Sequence, residues 1–173
     1  FKIALVLAAD FINIKSPRSF FSIDKNVPSI STHNKAIQNS IPLYEVKHNS
    51  LESQKLIVKY HINFGIISGA RILKKNIIQS VKYGILNFHP GLLPAIRGLD
   101  SILWSIYKDH PIGVTAHLIN DKIDAGYLVC QHKTDITIND NLQSLYEKNY
   151  RLQLYLIPIS LNLVLENQKF QKS

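Results

Sequence analysis

The segment Ile85-Leu86-Asn87-Phe88-His89-Pro90-Gly91-Leu92-Leu93-Pro94 (ILNFHPGLLP) decides the fold. It begins as an apolar run of strand length and ends in a turn built on Pro90, Gly91 and Pro94. Asn87 and His89 stand at the junction. In an extended chain, residues i and i+2 project from the same face, so these two polar side chains point the same way. Pro90 disfavours the helical region for the residue before it and holds His89 extended. Gly91 allows a close backbone approach, and Leu92, Leu93 and Pro94 pack the turn behind. Two readings are open at this point: the pair caps loose backbone groups at the strand's end, or it is aimed at a ligand.

Working outward, the chain before this segment alternates strand and helix patterns. Lys2–Ala8 is an apolar run suited to a buried parallel strand. Residues 10–32 are polar, serine-rich and without a period, which marks a long loop. A short helix at His33–Asn39 and a strand at Pro42–Val46 follow. Asn49 with Glu52 signals a helix over Ser50–His61. Phe64–Ser68 reads as a buried strand, Arg71–Ser80 as a helix, and Gly84–Phe88 as the strand that carries the opening motif.

Beyond the motif, Asp100 is placed to cap a helix through Lys108, with Leu103, Trp104 and Ile106 expected on its buried side. Ile112–Ile119 and Tyr127–Thr137 are extended runs separated by the polar turn Asn120–Gly126. Asp140 and Gln143 open a long final helix with apolar Leu142, Leu145, Leu152, Leu156 and Leu161. This order predicts an α/β fold: a mostly parallel open sheet with helices on both faces, its last strands partly antiparallel. In such sheets ligands sit beyond the carboxyl ends of the strands, where Asn87 and His89 stand. The 173 residues are expected to form a single domain.

Composition narrows the function classes. Hydrophobic residues make up 46% of the chain, which argues against disorder. A net charge of +8 suits an anionic partner, but the basic residues are scattered, so small anionic ligands rank above nucleic acid. The single cysteine, Cys130, permits no internal disulfide and no multi-cysteine metal site, and fits a reducing compartment such as the cytoplasm. Leu152–Leu165 is too short for a membrane span and is interrupted by Pro158. There is no methionine, and the chain starts inside an apolar run, so it is expected to be a piece of a longer protein.

A second constellation lies in IGVTAHLINDKIDAGYLV, Ile112 to Val129. Val114, Ala116 and Leu118 alternate with Thr115 and His117, and the turn that follows carries Asp121, Asp124 and Gly126. Alone, Asp124-Ala125-Gly126 is an ordinary turn, and His117 is as compatible with a satisfied core histidine as with a site.

Together the two stretches resemble the formyltransferase family, which includes glycinamide ribonucleotide formyltransferase, the formyl-transferring domain of methionyl-tRNA formyltransferase and sugar N-formyltransferases. The matching residues are Asn87, His89, Pro90, Leu92, Leu93 and Pro94, then Arg97-Gly98, Gly113-Val114-Thr115, His117, and Asp124-Ala125-Gly126. Gly69–Leu73 (GARIL) is similar to the family segment beside the folate site. The resemblance implies a Rossmann-like fold, a catalytic trio of Asn87, His89 and Asp124, and 10-formyltetrahydrofolate as co-substrate, with no metal. It also places Arg71, Ile72, Leu73, His117, Asp121 and Gly126 around the folate. The residue types suit the reaction: an amine attacks a carbonyl carbon, donors such as Asn87 and a protonated His89 stabilise the oxyanion, and the Asp124 carboxylate relays the proton. The implied acceptor is a small anionic amine, either glycinamide ribonucleotide or an amino sugar; a homodimer is compatible with the resemblance, and a membrane is not implied.

The chain departs from the family in two places. Phe1–Ala8 is followed by ADFINIKS, which lacks the Gly-x-Gly turn that cradles phosphate, so this run is equally well the family's second strand. Gly91 stands where the family has serine. Two alternatives remain: a formyltetrahydrofolate hydrolase, whose family carries a second histidine in place of Pro90, and a folate-binding module without turnover.

Overall fold

The computed structural model describes residues 2–9, 31–67, 72–120 and 126–170, the side chains of the last four excepted. The chain divides into two compact units, Phe1–Ile62 and Asn63–Ser173. In the first, strand β1 (Val6–Ala8) pairs parallel with β2 (Leu43–Glu45), in the register Val6 to Leu43 and Ala8 to Glu45. The expected strand over Lys2–Ala8 is therefore shorter, because the ladder is only as long as its partner. Helix α1 (Thr32–Gln38) is capped by Ser31, whose hydroxyl accepts from the Asn34 amide at 3.1 Å. Helix α2 (Leu51–Lys59) starts from Ser50 rather than Asn49: the Ser50 hydroxyl accepts from the Ser53 amide at 3.1 Å. Both residues are good N-caps, and the hydroxyl one position later reaches the free amide.

The second unit contains β3 (Gly65–Ile66), α3 (Lys75–Gln79), β4 (Ile85–His89), α4 (Ser101–Tyr107), β5 (Gly113–Ile119), β6 (Gly126–Lys133) and α5 (Leu142–Phe170). Its sheet has the order β3-β4-β5-β6. The β3–β4 pair is parallel, whereas β4–β5 and β5–β6 are antiparallel, the change of direction expected for the last strands. Asn87 lies opposite His117, and His89 opposite Thr115.

Alternation along β4 and β5 divides the sheet into an apolar and a polar face. Leu86, Phe88, Val114 and Ala116 form one core cluster with Leu156, Leu161 and Val164 of α5. Each such large apolar side chain contributes about 1.5–3 kcal/mol on burial, which makes this face the anchor of the unit. A buried polar tie supplements it: the Asn149 amide donates to the Gly113 carbonyl at 2.9 Å. Pro158 sits inside α5, and the helix continues through it.

The start of α5 differs in detail from expectation. Asn141 and Ser144 bond reciprocally, the Asn141 side chain accepting from the Ser144 amide and the Ser144 hydroxyl from the Asn141 amide, both at 3.0 Å. Asp140 instead takes the Lys148 ammonium at 2.6 Å. That cation, with the Thr137 amide and Ser144 hydroxyl, holds the Asp140 carboxyl well below the usual carboxylate range.

Helix α4 corrects a burial expectation. Leu103, Trp104 and Ile106 are 37%, 48% and 51% exposed, while Ser101, Ile102 and Ser105 are buried. The buried serines satisfy their own hydroxyls: Ser105 donates to the Ser101 carbonyl at 2.8 Å and Ser101 to the Gly98 carbonyl at 3.0 Å. Small side chains with local acceptors let this face sit inside without a desolvation penalty. Asp100 adopts the left-handed conformation (φ 55°) and makes no side-chain cap bond.

Candidate active site

The polar face of the sheet carries the site. Asn87, at the middle of β4, is half-buried, and His89, at its end, is only 3% exposed. Leu86 and Phe88 are locked into the core on the opposite face, so the i, i+2 pair has no freedom to rotate away. Asn87 Nδ2 lies 3.2 Å from Nε2 of the buried His117, its partner across the antiparallel ladder. With the amide as donor, the accepting His117 nitrogen is bare. An amide has two N–H groups, so one of Asn87's remains for a ligand.

His89 is held from the turn that follows it. Its Nε2 lies 2.9 Å from the Ile96 carbonyl and 3.2 Å from the Ser101 hydroxyl. The turn itself is fastened to the sheet by Thr115 and Gln131, which face it from β5 and β6. The fully buried Thr115 hydroxyl donates to the Gly91 carbonyl at 2.7 Å and accepts from the Leu93 amide at 3.0 Å and the Gln131 amide at 2.9 Å. Gln131 Nε2 also donates to the Leu93 carbonyl at 2.6 Å. Thr115 and Gln131 are opposite one another in the ladder. A strand end, a strapped turn and two imidazoles thus share one polar surface, suited to presenting fixed donors to a developing negative charge.

The structure brings together Asn87, His89 and His117 among the expected site residues. Ile72 is 61% exposed and Leu73 is buried. Gly126 starts β6 at φ 126°, and a Cβ there would run into the Leu118 carbonyl, so the strand junction alone requires a glycine. Arg71, Asp121 and Asp124 lie outside the described residues. Thr115, Gln131 and Ser101 were not singled out as site residues; the signals for Thr115 were its place in the Gly113-Val114-Thr115 match and its i, i+2 relation to His117. Among the described residues, no group of three or more His, Cys, Asp or Glu side chains is arranged to hold a metal ion, and no helix is long and apolar enough to cross a membrane.

Comparison with known proteins agrees with this geometry. The family model described as formyl transferase matches residues 22–158. Methionyl-tRNA formyltransferase from Prochlorococcus marinus (strain MIT 9312) is 38% identical over 105 residues, which is 60% of this chain and 32% of that protein. The chain spans between 22% and 38% of the length of curated relatives it matches. Phosphoribosylglycinamide formyltransferase from Bacillus halodurans superposes with a TM-score of 0.72 at 22% identity, over 92% of this chain and 79% of that one. The formyltransferase PseJ from Anoxybacillus kamchatkensis, solved with a UDP-linked formamido sugar and tetrahydrofolate, superposes with a TM-score of 0.62 at 19% identity, over 92% of this chain and 76% of that one. At these identities the two structures speak for the fold. The match over 137 consecutive positions, carrying both the Asn87–His89 strand end and the β5 strand that faces it, establishes that this chain belongs to the formyl transferase family.

Proposed function

We propose that this chain transfers a formyl group from 10-formyltetrahydrofolate to the primary amine of a small anionic acceptor. The observation that carries the reading is the strand-end pair: Asn87, with one amide hydrogen left over, and His89, immobilised beside it on the same face. In this role Asn87 Nδ2 donates to the carbonyl oxygen of the formyl group as negative charge develops, and His89 acts on the same centre from two residues along the strand. Asp124 is assigned the proton relay, taking the proton of the attacking ammonium and delivering it to the departing nitrogen, directly or through one water. The reaction class rests on family membership and on these residue types; PseJ, whose structure holds tetrahydrofolate, supports the donor.

An anionic acceptor is supported by the chain's net charge of +8. Phosphorylated and nucleotide-linked amines both meet this description: the first has its counterpart in the phosphoribosylglycinamide enzyme, the second in PseJ.

The test is incubation with 10-formyltetrahydrofolate and, separately, glycinamide ribonucleotide, nucleotide-linked amino sugars, or no amine. Tetrahydrofolate release that depends on an amine, with a formylated product, is the expected result. Release without any amine establishes a hydrolase instead, and bound folate with no release under any condition establishes a binding module.

A further inference from the structure

We infer that Ser101 is a positioning residue for His89: with the Ile96 carbonyl it fixes the hydrogen on Nε2, and with it the tautomer and orientation of the ring. The tautomer follows from hydrogen-bond bookkeeping. Nε2 lies 2.9 Å from the Ile96 carbonyl oxygen, which accepts and never donates, so Nε2 carries the hydrogen. The same hydrogen is shared with Ser101 Oγ at 3.2 Å. Ser101 has a single hydroxyl hydrogen, and it is committed to the Gly98 carbonyl at 3.0 Å, so its lone pair faces the imidazole. Both neighbours of Nε2 are thus acceptors, and removing its hydrogen would set three electron-rich atoms against one another.

Position 91 supports the assignment from another side. A Cβ on Gly91 would lie 3.0 Å from His89 Nε2, 2.9 Å from Ile96 Cγ2 and 3.1 Å from Ser101 Cβ. The space beside Nε2 is therefore already filled by the two elements that supply its acceptors. A serine at 91 does not fit into it, and the hydroxyl near His89 comes from α4, ten residues further along. This also explains why α4 turns serines inward and leaves Trp104 outside.

The catalytic consequence rests on the formyl-transfer reading; the tautomer does not, and the experiment separates them. Imidazole ¹⁵N chemical shifts of the intact chain, with the His89 signal assigned by its loss in His89→Gln, report the tautomer directly. Neutral His89 is expected as the Nε2–H form, and an Nδ1–H form overturns the proposal whatever the activity. Ser101→Ala is expected to admit a measurable fraction of the other tautomer and to lower kcat about tenfold with donor KM within about twofold, as loss of one hydrogen bond implies. Ser105→Ala is the control: it removes an equally buried hydroxyl from the same helix that does not touch His89. Equal kcat for the two variants overturns the positioning role. Should Ser101→Ala not fold, Gly91→Ala presses on the same nitrogen and is expected to shift the His89 ring signals; unchanged signals overturn the proposal.

Discussion

Thr115→Val isolates the strap that holds the site turn to the sheet. Valine has nearly the same shape, so the change leaves no cavity and removes only the hydroxyl. That hydroxyl makes bonds of 2.7, 2.9 and 3.0 Å to the Gly91 carbonyl, the Gln131 side chain and the Leu93 amide. Gln131 keeps its bond to the Leu93 carbonyl, so its loss is small. The Gly91 carbonyl and Leu93 amide lose the partner on which they depend, at about 1–3 kcal/mol for each buried group left unsatisfied. The expected destabilisation is therefore about 3 kcal/mol, or roughly 6–12 °C in Tm for a chain of this size. Thr115→Ser keeps the hydroxyl and loses one methyl, at about 1 kcal/mol. Urea unfolding of the three proteins, with midpoints compared at constant m, measures both. A Thr115→Val variant within about 0.5 kcal/mol of wild type, the range of ordinary surface changes, would refute the strap, as would a Thr115→Ser variant that is equally destabilised.

Three further outcomes are expected. Asn87→Ala should lower kcat about 10²–10³-fold with little change in donor KM, because its spare N–H acts on charge that appears only during reaction; steady-state kinetics checks this. Asp124→Asn should abolish turnover while folate affinity, followed by fluorescence titration, stays close to wild type; a near-normal rate removes Asp124 from the mechanism. Asp140 has a lowered folded-state pKa, so it stabilises the fold above its unfolded value of about 3.9 and loses that contribution as pH falls through the folded value. Asp140→Asn should thus be less stable than wild type near neutrality, with the two unfolding curves converging in acid.

The part of this molecule that the sequence made legible is the part governed by nearest neighbours. Two polar residues separated by one apolar residue, ahead of a proline, specify a face and a strand end without reference to the rest of the chain. The strap was not legible in the same way. Thr115 meets Gly91 and Leu93 from 24 and 22 positions away, and Gln131 reaches Leu93 from 38, distances that only the antiparallel register closes. Helix α4 misled for a different reason. Burial was expected of Leu103, Trp104 and Ile106 on hydrophobicity alone, but space beside His89 is short, and serines that satisfy their own hydroxyls occupy it better than leucine. The caps of α2 and α5 each shifted by one position, since neighbouring polar residues compete for the same free amide and only the backbone's path decides between them.

The acceptor opposite His89 Nε2 belongs to the main chain of Ile96. A peptide oxygen is the same whichever side chain hangs beside it, so no replacement at position 96 deletes the group, and only a change in the route of the backbone between Leu92 and Gly98 moves it. Drift in residue identity along this stretch is thereby uncoupled from the orientation of the imidazole, whereas a single insertion or deletion there is not. In a library built over these positions, length should prove intolerant where composition is forgiving.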